Sequence, residues 1–335
     1  MRLAILNTDP KECSYGGVAP IIRNMHPYLA DAFDVRYFNL PDTIKRLPGP
    51  DRIKILLYLI FHFREIKKAD FILSHILEGS FIASFTGVHY AHIYHGNSNP
   101  MDVSRYWFGK YFAFVYNIFF RRIEKTADFR YSIGPAESGV KKLLNPIRHE
   151  VIVKPVEARS GFIYAGRLES PKNIDRIIRI YSKLPLDIRQ KNSLYIAGTG
   201  TKKEELMQLV RQMSLESSVL FLGQLDNRAL IEEVSSHLLL LMASTVEGMP
   251  TAIAEALSVG VPVVAVEAGD IPAVISNNRN GFLLKKEYED EEYVGAITKA
   301  LDRIDELSSF AKKSSLIFDA GIVTQGIIDD ILSIS

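Results

Sequence analysis

The stretch Ser244-Thr245-Val246-Glu247-Gly248-Met249-Pro250-Thr251-Ala252-Ile253-Ala254-Glu255-Ala256-Leu257-Ser258-Val259-Gly260-Val261-Pro262-Val263-Val264 decides the architecture. The apolar run before it, residues 238–242, reads as a strand, and a turn-rich loop follows over 244–249. Pro250 suits the first turn of a helix, where its missing N–H costs nothing, and helical spacing runs over 252–259. Gly260 and Pro262 end that helix and lead into a second apolar strand over 261–266. Strand, loop, helix, strand, with strands apolar throughout, is the unit of a parallel sheet covered by helices.

The same unit repeats outward in both directions. Upstream in the second half, strands are expected at 161–165, 193–197 and 219–222, with helices at 174–184, 204–213 and 228–235. The first half restarts the alternation, with strands at 2–6, 35–39, 71–74 and 92–94 and helices at 18–30 and 53–68. A chain of 335 residues with 47% apolar content suits two α/β domains, each Rossmann-like. Residues 151–160 carry Pro155 and no clear periodicity, which places the boundary there: a domain over 1–155 and another over 156–320. Residues 321–335 hold a last helix, expected to dock back on the first domain.

Composition narrows the classes. Cys13 is the single cysteine, so no disulfide framework or thiolate cluster can form, which suits a reducing cytosol. The opening residues read as a first strand rather than a secretory signal, and the apolar runs at 53–63 and 112–120 stop short of the ~20 residues needed to span a bilayer. Residues 1–155 hold 21 Lys and Arg against 14 Asp and Glu, a net of +7, whereas 156–335 hold 19 against 25, a net of −6. The basic half points to an anionic surface or substrate; that modest charge is too little to argue for nucleic acid.

The chemistry gathers around the quoted stretch. Gly248 lets a ligand approach the backbone, and Met249, Pro250 and Thr251 open a helix whose unpaired N–H groups and positive dipole end suit a diphosphate. Glu255, about a turn in, could accept hydrogen bonds from ribose hydroxyls, and Glu247 from a sugar hydroxyl. Arg167 and Lys172 follow another expected strand end, where two cations can neutralise a leaving diphosphate without a metal. No Asp-x-Asp occurs anywhere, and the acidic run 287–292 reads as a solvated helix start. Glu247 and Glu255 could also be the two carboxylates of a hydrolase, but their place beside an anion-binding helix start argues for binding instead.

These motifs closely resemble the retaining GT-B glycosyltransferases of glycosyltransferase family 4. The resemblance rests on the quoted stretch, on Gly166-Arg167-Leu168 with Lys172-Asn173, on Ala197-Gly198-Thr199-Gly200, on Phe221-Leu222-Gly223-Gln224 and on Asn280-Gly281-Phe282-Leu283, in the family's order over about residues 161–284. In the first half, Gly16-Gly17 resembles the family's loop facing the donor diphosphate, His95-Gly96 its His-Gly element, and Ser132 its serine after the last strand of that domain. The resemblance implies two Rossmann-like domains facing across a cleft and a UDP- or GDP-linked sugar as donor. It assigns His95, Glu247, Arg167 and Lys172 to catalysis. It assigns Gly16, Gly17, Gly166, Gly198, Gly223, Gly248, Met249, Pro250, Thr251 and Glu255 to the donor, with no metal and no separate cofactor. The acceptor is expected to be a glycan or a lipid-linked sugar of a bacterial surface polysaccharide or glycolipid.

Lys154-Pro155-Val156-Glu157 departs from the family's usual Pro-Asn-Gly-Val-Asp crossing, and Gly269-Asp270-Ile271-Pro272-Ala273 lacks the second acidic residue common in that loop. An inverting GT-B transferase, a sugar-nucleotide epimerase and a non-catalytic sugar-nucleotide-binding protein share the fold. A dinucleotide oxidoreductase is disfavoured because Gly16-Gly17 is not Gly-x-Gly-x-x-Gly. Asp226 reads either as a base contact or as a helix N-cap. Nine of the fifteen residues 106–120 are aromatic, with Arg105, Lys110, Arg121, Arg122 and Lys125 within or beside them, and Lys45, Arg46, Arg52, Lys54, Arg64, Lys67 and Lys68 surround the apolar run 53–63. Rings with flanking cations suit lipid headgroups, so the first domain is expected to rest on an anionic membrane at the cytoplasmic face.

Overall fold

The structure, a computed structural model, describes residues 1–9, 18–95, 109–134, 136, 138–148 and 153–334, with the side chains of 109–113 not described. It contains two compact units: Met1–Pro146 together with Ala320–Ser335, and Ile147–Asp319. Each has one six-stranded sheet in which every pair of neighbours is parallel.

The first sheet comprises β1 (Arg2–Leu6), β2 (Asp34–Phe38), β3 (Phe71–Ser74), β4 (His89–Tyr94), β5 (Phe129–Ile133) and β6 (Lys141–Leu143), in the order β2-β1-β3-β4-β5-β6. On one face, helices Val18–Ala32 and Ala320–Leu332 pack over Leu3, Ile5, Phe71, Leu73 and Tyr131 through Ile21, Met25, Ile327 and Ile331. Asp330 anchors the last helix, accepting from Tyr131 Oη at 2.7 Å and pairing with Lys141. On the other face, Ile55, Leu59 and Ile82 pack against Ala4, Leu6 and Ile72.

The second sheet comprises β7 (Phe162–Ala165), β8 (Leu194–Ala197), β9 (Val219–Gly223), β10 (Leu239–Leu241), β11 (Val263–Val266) and β12 (Gly281–Leu284), in the order β12-β11-β10-β7-β8-β9. Its inner strands β7, β10 and β11 are wholly buried and so tolerate continuous apolar runs rather than alternation, whereas the edge strand β9 is partly exposed.

Several expectations shift. The helix expected over 53–68 is two pieces, Asp51–Phe61 and Phe63–Ile66, broken at His62, whose ring nitrogen Nδ1 lies 2.9 Å from the Tyr58 carbonyl oxygen. Strands β5, β6 and β12 escaped the reading: β6 has three residues and two exposed lysines, leaving no apolar run to see. Ser132 therefore sits inside β5, buried between Tyr94 and Lys142, rather than after the last strand of its domain.

Candidate active site

In a doubly wound parallel sheet, ligands bind beyond the carboxyl ends of the strands, where the strand order reverses. In the second sheet that point lies between β7 and β10, first and fourth in chain order but adjacent in space. The loop after β7 carries Gly166, Arg167 and Lys172, and the loop after β10 carries Glu247 and Gly248. They are joined directly: Thr245 N donates to Pro171 O at 2.9 Å, and Asn173 Nδ2 donates to Ala243 O at 3.1 Å. Residues about 75 positions apart in sequence thus form one surface.

On that surface Lys172 Nζ and Glu247 Oε1 form an ion pair at 2.5 Å, with the Glu247 side chain only 6% exposed. Arg167 is exposed and makes no ion pair or hydrogen bond through its guanidinium among the described residues. Its backbone is fixed instead, since Tyr164 Oη donates to Arg167 O at 3.0 Å. Gly248 is exposed with open space where a Cβ would stand, so packing does not demand glycine there. Met249 is buried and anchors the loop, Pro250 is the residue before the helix, and Thr251 is its first residue. Pro250 brings no side-chain cap to helix Thr251–Ser258, and Ile253 N donates to Pro250 O at 3.1 Å.

Glu255 differs from the freely accepting carboxylate expected. It is 3% exposed, and Asn227 Nδ2 donates to its Oε1 at 2.7 Å. Burial pushes its carboxyl up to about 7, with the Asn227 bond opposing, so the neutral form is populated near neutrality and can also donate. Asn227 follows Asp226, which is the N-cap of helix Asn227–Val234 and accepts from Ala229 N at 2.9 Å. The capping reading of Asp226 holds, and the unread neighbour is the residue that touches the site. No sequence signal links positions 227 and 255. The Ser244 Oγ is buried with no hydrogen-bond partner among the described residues.

The glycine loops behind the surface are a close-packed support. Gly166 N donates to Ala197 O, Leu168 N to Thr199 O, and Gly198 N to Gly223 O. Gly198 has φ +138°, and a Cβ there would lie 1.9 Å from Gly166 O. Gly223, φ +71°, has open space around it.

In the first unit, His95 follows β4 directly. Its Nε2 lies 3.0 Å from Nδ1 of His75, the residue after β3, and the rings stack at 5.2 Å and 21°. Burial pushes His95 down to about 4, so it is a neutral imidazole at physiological pH. Gly16, Gly17 and Gly96 lie outside the described residues. Among the described residues, no group of three or more His, Cys, Asp or Glu could hold a metal ion.

Fold and site together define a GT-B protein: two α/β units, each on a six-stranded parallel sheet, with basic and acidic side chains at the reversal point of the second. More particularly, residues 151–315 match the family of glycosyl transferases group 1. Among curated relatives the chain is 30% identical over 127 residues to N-acetyl-alpha-D-glucosaminyl L-malate synthase of Bacillus anthracis, covering 38% of this chain and 32% of that protein. It is 27% identical over 173 residues to lipopolysaccharide 1,6-galactosyltransferase of Escherichia coli, covering 49% and 46%. The chain thus matches less than half the length of either. Among solved structures, sucrose-phosphate synthase of Thermosynechococcus elongatus aligns over 100% of both chains with a TM-score of 0.79 at 16% identity. Anabaena HepE, solved with UDP and glucose, aligns over 99% and 100% with a TM-score of 0.76 at 16% identity.

Proposed function

We propose that this protein is a retaining glycosyltransferase that moves a sugar from a UDP- or GDP-linked donor to a glycan or lipid-linked acceptor. The observation that carries the reading is the joined pair of loops after β7 and β10, which sets Arg167, Lys172, Glu247 and the open Gly248 before the start of helix Thr251–Ser258. The donor diphosphate lies at that helix start, with Arg167 and Lys172 stabilising the charge that develops as the nucleotide leaves. Lys172 exchanges its Glu247 partner for phosphate, which frees the Glu247 carboxylate for a sugar hydroxyl. Glu255 meets the ribose. The bond from the anomeric carbon to the phosphate oxygen breaks, the acceptor oxygen bonds to the same face, and the acceptor's proton passes to the leaving phosphate. His95 contacts the donor sugar as a neutral hydrogen-bonding group.

The supporting likenesses are the family match, the galactosyltransferase relative and the solved HepE complex. The acceptor side is supported by the exposed apolar and basic residues on the first unit's helices Asp51–Phe61 and Gly109–Thr126. The test begins with a thermal-shift screen of UDP, GDP and their sugars, in which a ligand at about 100 times its Kd raises stability by about 2.7 kcal/mol. With the donor found, transfer is expected to persist in EDTA and to keep the donor's anomeric configuration by NMR. Arg167→Ala and Lys172→Ala are expected to lower kcat by about 100-fold, more than they raise acceptor KM. Wild-type rates in both variants, or an inverted product, overturn the reading.

A further inference from the structure

We infer that His75 is a positioning residue for His95, fixing which ring nitrogen of His95 carries its proton and the plane in which the ring is held; the inference rests on the proposed contact of His95 with the donor sugar.

The turn that carries His75 is rigid. His75 N donates to Leu6 O at 3.0 Å, which ties it to the end of β1. Ser74 Oγ donates to Ile76 O at 2.8 Å, and Gly79 sits so close that a Cβ would lie 2.5 Å from Ser74 Oγ. The His75 side chain is 5% exposed, and its Nδ1 reaches His95 Nε2 at 3.0 Å with the rings nearly parallel.

A neutral imidazole has one N–H and one lone-pair nitrogen. Two such rings joined nitrogen to nitrogen share one proton, so the tautomer of one dictates that of the other. If His75 Nδ1 carries the proton, His95 Nε2 accepts it and His95 Nδ1 is a donor. If His95 Nε2 carries it, His95 Nδ1 is an acceptor. Either way Nε2 is used internally and Nδ1 alone is left for a hydroxyl.

The surroundings keep both rings neutral. Burial holds His75 well below the ordinary imidazole value, and the ionisable groups that add to it, His95 and His92, are both imidazoles. Burial likewise accounts for the low value of His95. His92, on β4, is buried, with its Nδ1 2.7 Å from Ser80 Oγ on helix Leu77–Ala83 and its ring edge-on to Tyr94. Among the described residues no carboxylate is bonded to His75, His92 or His95, so none favours an imidazolium.

The test uses full-length, 15N-labelled protein and two-bond nitrogen–proton correlation of the imidazoles, which reads the tautomer directly. Wild-type His95 is expected to show one tautomer, unchanged between about pH 8 and about pH 5. In His75→Phe, which keeps the ring buried but removes the partner of Nε2, it is expected to show mixed tautomers. Turnover is expected to fall about tenfold or more with donor KM changed less than about twofold, as for a misplaced contacting group. His75→Asn, whose amide can occupy the position of Nδ1, is expected to recover most of the turnover at matched thermal stability. A single His95 tautomer in His75→Phe, or wild-type turnover in that variant, overturns the inference. Wild-type turnover in His95→Ala strikes the donor-sugar contact instead, and the NMR result still decides whether His75 orients His95.

Discussion

Lys172 and Glu247 show how a single side chain can serve two states. Each is a charge held mostly out of water, and each satisfies the other until a ligand arrives. Glu255 is the more unusual residue, because its nearest hydrogen-bond partner is the neutral amide Asn227 rather than a cation. Burial therefore raises its pKa from the ordinary 4.5 to about 7. The sign of the consequence follows from linkage: between those values the folded state binds the extra proton, so the group's contribution to stability falls as pH rises through that window. Glu255→Gln keeps the shape and removes the titration. The loss of unfolding free energy between about pH 5 and about pH 8 is expected to shrink by about 1–3 kcal/mol in the variant, measured by urea denaturation at each pH. An unchanged pH dependence counts against a buried, titrating Glu255.

At the scale of elements, the site depends on three strand ends converging. The turns after β7 and β8 touch backbone to backbone, and the loop after β10 is pinned to the turn after β7 through Pro171. Gly198 makes the first contact possible, since a side chain there would occupy the space of Gly166 O, and its φ of +138° disfavours any other residue. Gly198→Ala is expected to destabilise the second unit by about 3 kcal/mol or more, read as a lower denaturation midpoint, and to displace the loop bearing Arg167. A variant as stable as the wild type would mean that the two turns separate without cost. By contrast Gly248→Ala adds a Cβ into open space, so it is expected to leave the denaturation midpoint unchanged.

At the scale of the whole molecule, the first unit exposes apolar surface that its core does not use. On helix Asp51–Phe61, Ile53, Leu57, Ile60 and Phe61 form one stripe, with Phe61 86% exposed. On helix Gly109–Thr126, Phe114, Val115 and Ile118 are also exposed, whereas Tyr116 and Phe119 are core. Residues 105–108 and the side chains of 109–113 lie outside the description, so only part of the expected aromatic belt is located. The cations divide similarly. Arg46, Arg64, Lys67, Lys68, Arg121 and Lys125 are exposed, while Arg52 is tied to buried Glu78 and Arg122 to Ser84. No helix among the described residues is long and apolar enough to cross a membrane. We propose that these exposed rings and cations rest on an anionic bilayer, where each exposed cation contributes about 1 kcal/mol. Co-sedimentation with anionic vesicles at low salt is expected, weakening at high salt and with Phe61→Ser. Equal binding to neutral vesicles, or none at low salt, rules out this mode.

By itself the sequence determined the alternation of strands and helices, because buried parallel strands are written as continuous apolar runs and amphipathic helices as a 3.6-residue period. It also determined the stations of Arg167, Lys172, Glu247 and Glu255, since a helix start after a glycine loop is a local pattern. The strands it concealed are short or polar, such as Lys141–Leu143, where no apolar period exists to be read. Only the tertiary structure decided which stations meet. That Lys172 is held by Glu247, that Asn227 rather than a cation faces Glu255, and that His95 is gripped by His75 are contacts between residues 75, 28 and 20 positions apart. Local periodicity carries no information about such pairs, because they arise from strand order and crossover, which place β7 beside β10 and β3 beside β4. The protonation of Glu255 and of His95 belongs to the same class, being set by burial, a property of the assembled fold.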